Sequence, residues 1–207
     1  MLRKADVVDG ALKLLDAEGI DGLTMRRLGA ALNVQGSALY RHFPNKEALL
    51  DALADRIVDG LGDPLPEADW RRQLYVLGDR MRSAMLAHRD GARVVGGTFA
   101  PGLNTMRGAD RAITALCTAG LAPAQAGWLA FALFYYVLGH VIEEQALAEL
   151  PAGDTWRQRI EKLDAEMSTH HSAALAALTG ADPGERFRYG LQVFIDGVAQ
   201  QIDRAES

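Results

Sequence analysis

Residues 23–46, LTMRRLGAALNVQGSALYRHFPNK, constrain the fold more than any other part of the chain because they join two short amphipathic segments by a tight corner. The first segment, which Thr24 can cap, repeats its apolar residues three and four positions apart and turns Arg26 outward. At the corner, Asn33 tolerates the left-handed conformation and Val34 fills the gap between two crossing helices. This pattern predicts a helix-turn-helix.

The second segment has the order of residues that a recognition helix needs. Leu39 and Phe43 are four positions apart and anchor it inward. The side chains left to face outward are Ser37, Ala38, Tyr40, Arg41 and His42. Small residues come first, so the N-terminal end fits closely in a major groove, and the large donors behind them reach phosphates and base edges. Pro44 then breaks the helix, and Lys46 starts the next one where an adjacent phosphate is well received.

The charge of this region agrees with DNA contact. Between residues 22 and 46 there are four basic residues and no acidic one, although the whole chain has a net charge of -5. The basic residues are Arg26, Arg27, Arg41 and Lys46. A local basic surface on an acidic protein is what phosphate contact requires.

Length and composition divide the chain into a DNA-reading module, residues 1–46, and a larger helical domain, residues 47–207. The lone cysteine, Cys117, excludes a disulfide within the chain and is interpreted as a packing residue. No run reaches about 18 uninterrupted apolar residues, and no apolar signal region follows the N-terminus. We therefore expect a soluble, cytoplasmic protein without a membrane span.

Hydrophobic periodicity predicts helices through the rest of the chain and no strand, which makes the fold class all-α. A first helix covers 7–18, and later helices cover 47–61, 70–88, 91–95, 103–119, 123–150, 155–167, a segment through 178, and 185–204. The helix over 123–150 is expected to have an aromatic inner face. Its residues are Trp128, Phe131, Phe134, Tyr135 and Leu138. The helices over 123–150 and 185–204 are both strongly apolar on one face, which favours self-association unless both faces pack into their own core.

Four blocks of residues resemble the TetR family of bacterial transcriptional repressors, and within it the tetracycline-repressor subgroup. They are LYRHF at 39–43, NKEALL at 45–50, HRDGARV with the following GT at 88–98, and LGHVIEEQ at 138–145. The resemblance implies a three-helix DNA-binding domain followed by a helical ligand-binding and dimerisation domain. It also implies a repressor without enzymatic activity or cofactor, a homodimer through the two long C-terminal helices that binds a palindromic double-stranded operator. A small effector would release the DNA, and an efflux or antibiotic-related gene is the expected target.

The resemblance also assigns DNA contacts to positions of this chain. They are Thr24, Arg26, Gly36, Ser37, Ala38, Tyr40, Arg41, His42 and Lys46. Three positions depart from the tetracycline repressor: Gly36 replaces a glutamine, Ala38 a threonine and Arg41 a tryptophan. Loss of an amide and gain of a guanidinium imply a different operator sequence.

The effector pocket implied by the resemblance lies inside the larger domain. In the tetracycline repressor a histidine of the short central helix holds a magnesium ion, and Val95 occupies that position here, so we expect no metal. The candidate walls are Leu77, Met81, Val95, Phe99, Phe131, Phe134 and Tyr135, and the candidate polar anchors are Thr98, Tyr135 and Glu143. This lining favours a largely hydrophobic effector. The helix over 47–61 links the two domains. Effector binding would splay the two copies of this helix in the dimer and move the recognition helices away from major grooves about 34–36 Å apart.

The sequence leaves two alternative functions open. His140 lies three and four positions before Glu143 and Glu144, and the pair His170–His171 adds imidazoles, so a helical metal-dependent enzyme is conceivable. That signal is weak because the chain has no HExxH motif, no nucleophile with a neighbouring base and no phosphate loop. The second alternative is a helical interaction protein that no longer binds DNA. The presence of Tyr40 and Lys46 argues against it.

Overall fold

A computed structural model describes residues 2–66, 69–98, 102–150, 155–164 and 166–205, and in these ranges the chain forms helices and no strand. The helices are α1 Lys4–Gly22, α2 Met25–Ala31, α3 Gly36–Tyr40, α4 Lys46–Ile57, α5 Trp70–Leu86, α6 Gly91–Gly96, α7 Leu103–Thr118, α8 Pro123–Ala148, α9 Thr155–Asp164, α10 Thr169–Gly180 and α11 Pro183–Ala205. The predicted all-α fold class is confirmed.

The N-terminal three helices fold as the sequence predicts. Thr24 caps α2, since its hydroxyl oxygen accepts the Arg27 N–H at 3.2 Å. Asn33 adopts the left-handed conformation at the corner, with φ 52°. Leu39 and Phe43 are buried in the core, and α3 packs on α2.

Several helices end earlier than periodicity predicts. The recognition segment expected over 37–43 is helical only in α3 and continues as a turn, and α4 stops at Ile57 instead of reaching residue 61. In both places the apolar residues beyond the helix, Phe43 and Leu61, are still buried. Periodicity therefore located the core residues correctly, while the backbone around them is a turn.

The larger domain is built around α5, α7, α8 and α11, which pack on one another, while α4 leads into it from the DNA-reading module and packs on α6 and α7. Asp69 caps α5 by accepting the Arg72 N–H at 2.9 Å. One face of α5 is buried in this domain. Its buried residues are Leu74, Leu77, Gly78, Met81 and Met85.

The aromatic inner face predicted for α8 is wrong for three of its five residues, while Phe134 and Leu138 are partly buried against the core. Trp128, Phe131 and Tyr135 are 73%, 56% and 62% exposed. The residues of α8 that are buried instead are Ala126, Leu133, Val137 and Val141. Because α8 is apolar on every side, periodicity does not distinguish its inner from its outer face, and small or branched residues were the ones that fit against α5 and α7.

By length and composition α8 is also apolar enough to cross a membrane. Its packing argues for another role, because one of its faces lies against α5, α6, α7 and α11. A core helix of this kind meets the same criteria of length and hydropathy.

A buried carboxylate joins the two parts of the chain at a second place besides α4. Asp90, which is 7% exposed and has φ 56°, accepts the Ile20 N–H at 2.8 Å and Arg93 Nη1–H at 2.9 Å. Gly19 breaks α1 beside it with φ 73°, and a β-carbon there would lie 2.8 Å from the Asp90 carboxylate. The end of α1 is therefore bent around the start of α6.

Replacing Asp90 tests how strongly this contact stabilises the chain. We expect Asp90→Asn to lower the free energy of unfolding by about 1–3 kcal/mol at neutral pH, the range for losing hydrogen bonds to a buried charged group. Burial opposes ionisation of this carboxyl, but the Ile20 amide and the Arg93 guanidinium outweigh it and hold its pKa below the ordinary value. The stabilisation is therefore complete above about pH 4 and is lost as the pH falls through the pKa of the folded state.

Urea unfolding at neutral and acidic pH measures this difference. The matched control is Asp21→Asn, since Asp21 contacts the same Arg93 at 3.4 Å but its side chain is 89% exposed. Equal stability of the two variants at neutral pH would contradict the prediction.

Candidate DNA interface and effector region

The exposed face of α3 has the order of residues that the sequence predicts. Gly36 and Ser37 lie exposed in its first turn, and Tyr40 at its end is 53% exposed. Arg41 follows at the C-cap and Arg26 lies exposed on α2. Small residues therefore lead, and long donors surround the end of the helix.

The basic side chains of this surface are not equivalent. Arg27 pairs with Glu18 of α1, so its guanidinium is held on the protein. Arg26 and Arg41 have no hydrogen-bond or ion-pair partner within the described ranges. These two guanidinium groups are therefore the ones available to phosphates and base edges.

His42 does not face outward as predicted. It is half-buried, and its Nε2 lies 3.1 Å from the carbonyl oxygen of Leu2. A carbonyl only accepts, so this contact requires the Nε2–H tautomer or the imidazolium as donor. The Lys4 ammonium group lies 5.0 Å above the ring of neighbouring Phe43. His42 thus fastens the start of the chain to the end of the reading helix. Ala38, also predicted to face out, is half-buried.

Lys46 connects three helices. Its ammonium donates to the Ile20 carbonyl at 3.2 Å, and the N–H of the same Ile20 donates to Asp90. An ammonium has three donors, so this contact leaves capacity for a phosphate. Asn45 caps α4 immediately before it by accepting the Ala48 N–H at 2.8 Å.

The structure brings together some of the candidate effector residues. Leu77, Met81 and Val95 are buried in the larger domain, and Phe134 is half-buried against the same core. Phe131 and Tyr135 are on the exposed side of α8, so they do not line that interior within one chain. Phe99 is outside the described residues.

The polar candidates are less central than expected. Thr98 is half-buried, and its hydroxyl donates to the Val94 carbonyl at 2.9 Å. Glu143 is exposed on α8. Sequence reasoning missed Gln145, whose side chain donates to the Met85 and His88 carbonyls at 3.1 and 2.8 Å and accepts the Ala92 N–H at 3.1 Å. Its place in the LGHVIEEQ block was the available signal.

Two of the residues considered for a metal site, His140 and Glu144, make structural contacts. The His140 Nε2 lies 3.0 Å from the Pro183 carbonyl at the start of α11, and Glu144 accepts two hydrogen bonds from Arg82 at 2.6 and 3.0 Å. Tyr136 donates to the Phe187 carbonyl at 2.7 Å. Within the described ranges, no three His, Cys, Asp or Glu residues are grouped to hold a metal ion. His140 and Tyr136 dock α11 on α8, and the Arg82–Glu144 pair joins α5 to α8.

Two family models match nearly the whole chain. The model described as bacterial regulatory proteins, tetR family, matches residues 7–53, and the one described as tetracyclin repressor-like, C-terminal domain, matches residues 63–202.

Individual proteins agree with these models. The chain is 40% identical to the tetracycline repressor protein class A of transposon 1721 from Escherichia coli, over 97% of this chain and 92% of that protein. A solved structure of a possible TetR family transcriptional regulator from Streptomyces coelicolor A3(2) has a TM-score of 0.88 and 38% identity, covering 96% of this chain and 99% of that one. BioQ with its natural double-stranded DNA operator has a TM-score of 0.72 and 32% identity, covering 97% and 99%.

We expect the contact between His140 and the start of α11 to make stability depend on pH. Burial lowers the pKa of His140 below its ordinary value, against the opposing effects of the Pro183 carbonyl and Glu144. Below about pH 6.5 the unfolded chain therefore binds a proton that the folded chain does not, and stability falls as the pH falls. We expect His140→Gln to lose less stability between neutral pH and weak acid than the unmodified chain.

Urea unfolding at several pH values measures this slope. His170→Gln is the control, because His170 is exposed on α10 and its loss should leave the slope unchanged. If both variants keep the slope of the unmodified chain, His140 is not its source.

Proposed function

The chain belongs to the TetR family of bacterial regulatory proteins, and we propose that it represses transcription by binding a palindromic operator as a homodimer until a small, largely apolar effector releases it. The observation that carries this proposal is the exposed basic end of α3. Arg26, Tyr40 and Arg41 surround a short helix that begins with Gly36 and Ser37, within a region that has no acidic residue between 22 and 46. The resemblance deduced from the sequence is confirmed over both domains.

The exposed apolar residues of the two long helices support the homodimer. Trp128, Phe131 and Tyr135 lie on one side of α8, and Tyr189 and Val193 of α11 are 76% and 54% exposed. Apolar residues at this density on long helices are usually covered by a partner. A second copy of the same chain covers both faces at once and gives the two-fold symmetry that a palindromic operator requires.

The interior supports an apolar effector bound without a metal. Leu77, Met81 and Val95 offer no hard donor, and a branched alkane at position 95 does not coordinate a divalent cation. In the proposed dimer the exposed aromatic residues of α8 lie between copies, where Phe131 and Tyr135 remain candidate contacts. We expect the protein to act in the cytoplasm, where its operator is. The division at residues 46 and 47 and the individual contact residues stay predictions.

Removing the Arg41 guanidinium tests the DNA interface. We expect Arg41→Ala to weaken operator binding by about 1–3 kcal/mol if it reads a base, or to reduce the salt slope by about one if it contacts a phosphate. Fluorescence anisotropy at several salt concentrations distinguishes these outcomes, using DNA that flanks the reading frame and a duplex selected from a randomised pool. Arg159→Ala, on exposed α9, removes the same charge elsewhere and should leave affinity unchanged. Absence of sequence-selective binding by the unmodified chain would refute repression.

A thermal-shift screen tests the effector class. Lipophilic antibiotics, dyes and polyketide-like molecules that bind the folded chain should raise its melting temperature, by mass action, and should release the operator in the anisotropy assay. Adding a chelator should leave both effects unchanged, because Val95 supplies no metal ligand. An effector that acts only with added magnesium would show this interpretation of the pocket to be wrong.

A further inference from the structure

The first turn of α7 takes its cap from another helix. The N-cap residue, Gly102, has no side chain to offer, and the Asp55 carboxylate of α4 replaces it. One oxygen of Asp55 accepts the N–H groups of Asn104 and Thr105 at 2.8 and 3.0 Å and lies 3.4 Å from the Thr105 hydroxyl. These are the second and third residues of the helix, the ones that a cap residue normally serves.

The contact is made from both sides and is closely fitted. The Asn104 side-chain amide donates to the main-chain oxygen of Asp55 at 3.1 Å, so α7 also binds the backbone of α4. A β-carbon on Gly102 would collide with the Asp55 carboxyl group, so the approach requires glycine. Further along, Arg111 donates to the Gly62 carbonyl at 3.2 Å, beyond the end of α4. The start of α7 is thereby fixed to the last turn of α4.

This contact lies between the two sites of the proposed function: α4 leads to the DNA interface, and α7 leads to the candidate effector region. Along the chain α4 begins at Lys46, directly after the reading helix, and Asp55 lies nine residues later, about 14 Å along the helix axis. On the other side, residues 97–102 connect α7 to α6, which carries the buried Val95 of the candidate effector region. A displacement of the start of α7 must either break four hydrogen-bonding contacts or move α4 with it.

We propose that Asp55 is a positioning residue that couples the start of α7 to α4, so that the core and the operator bias the same helix. This inference rests on the proposed function, because it concerns how effector occupancy changes DNA binding. Coupling between two sites is reciprocal. Operator binding must therefore change the first turn of α7, which makes the coupling measurable without knowing the effector.

The test is amide hydrogen exchange at Asn104 and Thr105 in the full-length chain, with and without the duplex that it selects from a randomised pool. In the unmodified chain the duplex should slow exchange at these amides on the order of 5-fold or more, the lower end of ordinary coupling between sites. In Asp55→Ala, exchange should be faster and should no longer respond to the duplex, although the duplex still binds. If Asp55 had a purely structural role, Asp55→Ala would raise exchange at these amides by the same factor with and without DNA.

Matched variants keep the result interpretable. Asp51→Asn removes a carboxylate from the same face of α4, one turn nearer the reading helix, and should respond to the duplex as the unmodified chain does. Asn104→Ala removes only the side-chain bond to the Asp55 main chain and should reduce the response in part, which provides a test even if Asp55→Ala does not fold.

A bound duplex that leaves exchange at Asn104 and Thr105 unchanged in the unmodified chain overturns the coupling, as does a full response in Asp55→Ala. Loss of the response in Asp51→Asn would also overturn it, because the effect of removing a carboxylate from α4 would then not be specific to Asp55. A chain that selects no duplex at all refutes the proposed function itself, and that outcome is recognised before exchange is measured.

Discussion

The main chain of Ile20 is the constraint on which the arrangement of the two domains depends. Its N–H donates to the buried Asp90 carboxylate of the core, and its carbonyl accepts from Lys46 at the start of α4. Both groups are partly buried, so leaving either unpaired costs free energy. Because the break at Gly19 presents the main chain of Ile20 to both partners, α1, α4 and α6 meet at one place. The DNA-reading module is therefore held to the core by more than the covalent link.

This junction explains how a change in the core can reach DNA without a flexible connection. Helix α4 is held at its first residue by Ile20, along its length by packing on α6, and at Asp55 by α7. Close-packed contacts of this kind move as units and do not deform gradually. In the proposed mechanism, an effector needs only to favour one arrangement of α6 and α7 over another for the position of the reading helices to change.

The sequence was sufficient for the cap, the corner and the buried anchors of the DNA-reading module, but it was insufficient for the orientation of Ala38 and His42 and for the outer face of the core. Thr24, Asn33, Leu39 and Phe43 behave as predicted, because capping, left-handed turns and four-residue spacing are local properties. The inner face of α8 was predicted wrongly, since a helix that is apolar all round gives no signal about which neighbour covers which side. Asp55, Asp90 and Gln145 were missed for a related reason. Their partners are roughly fifty or more residues away in the chain, and no pattern in one sequence announces such a contact.

The bond between His42 and the Leu2 carbonyl has a practical consequence for work with this protein. It holds the segment around Leu2 and Lys4 beside the exposed side chains at the end of α3. A bulky label or purification handle attached to this segment would project from the same surface and compete with nucleic acid for space in the proposed complex. Labels for affinity measurements are better attached to another part of the chain.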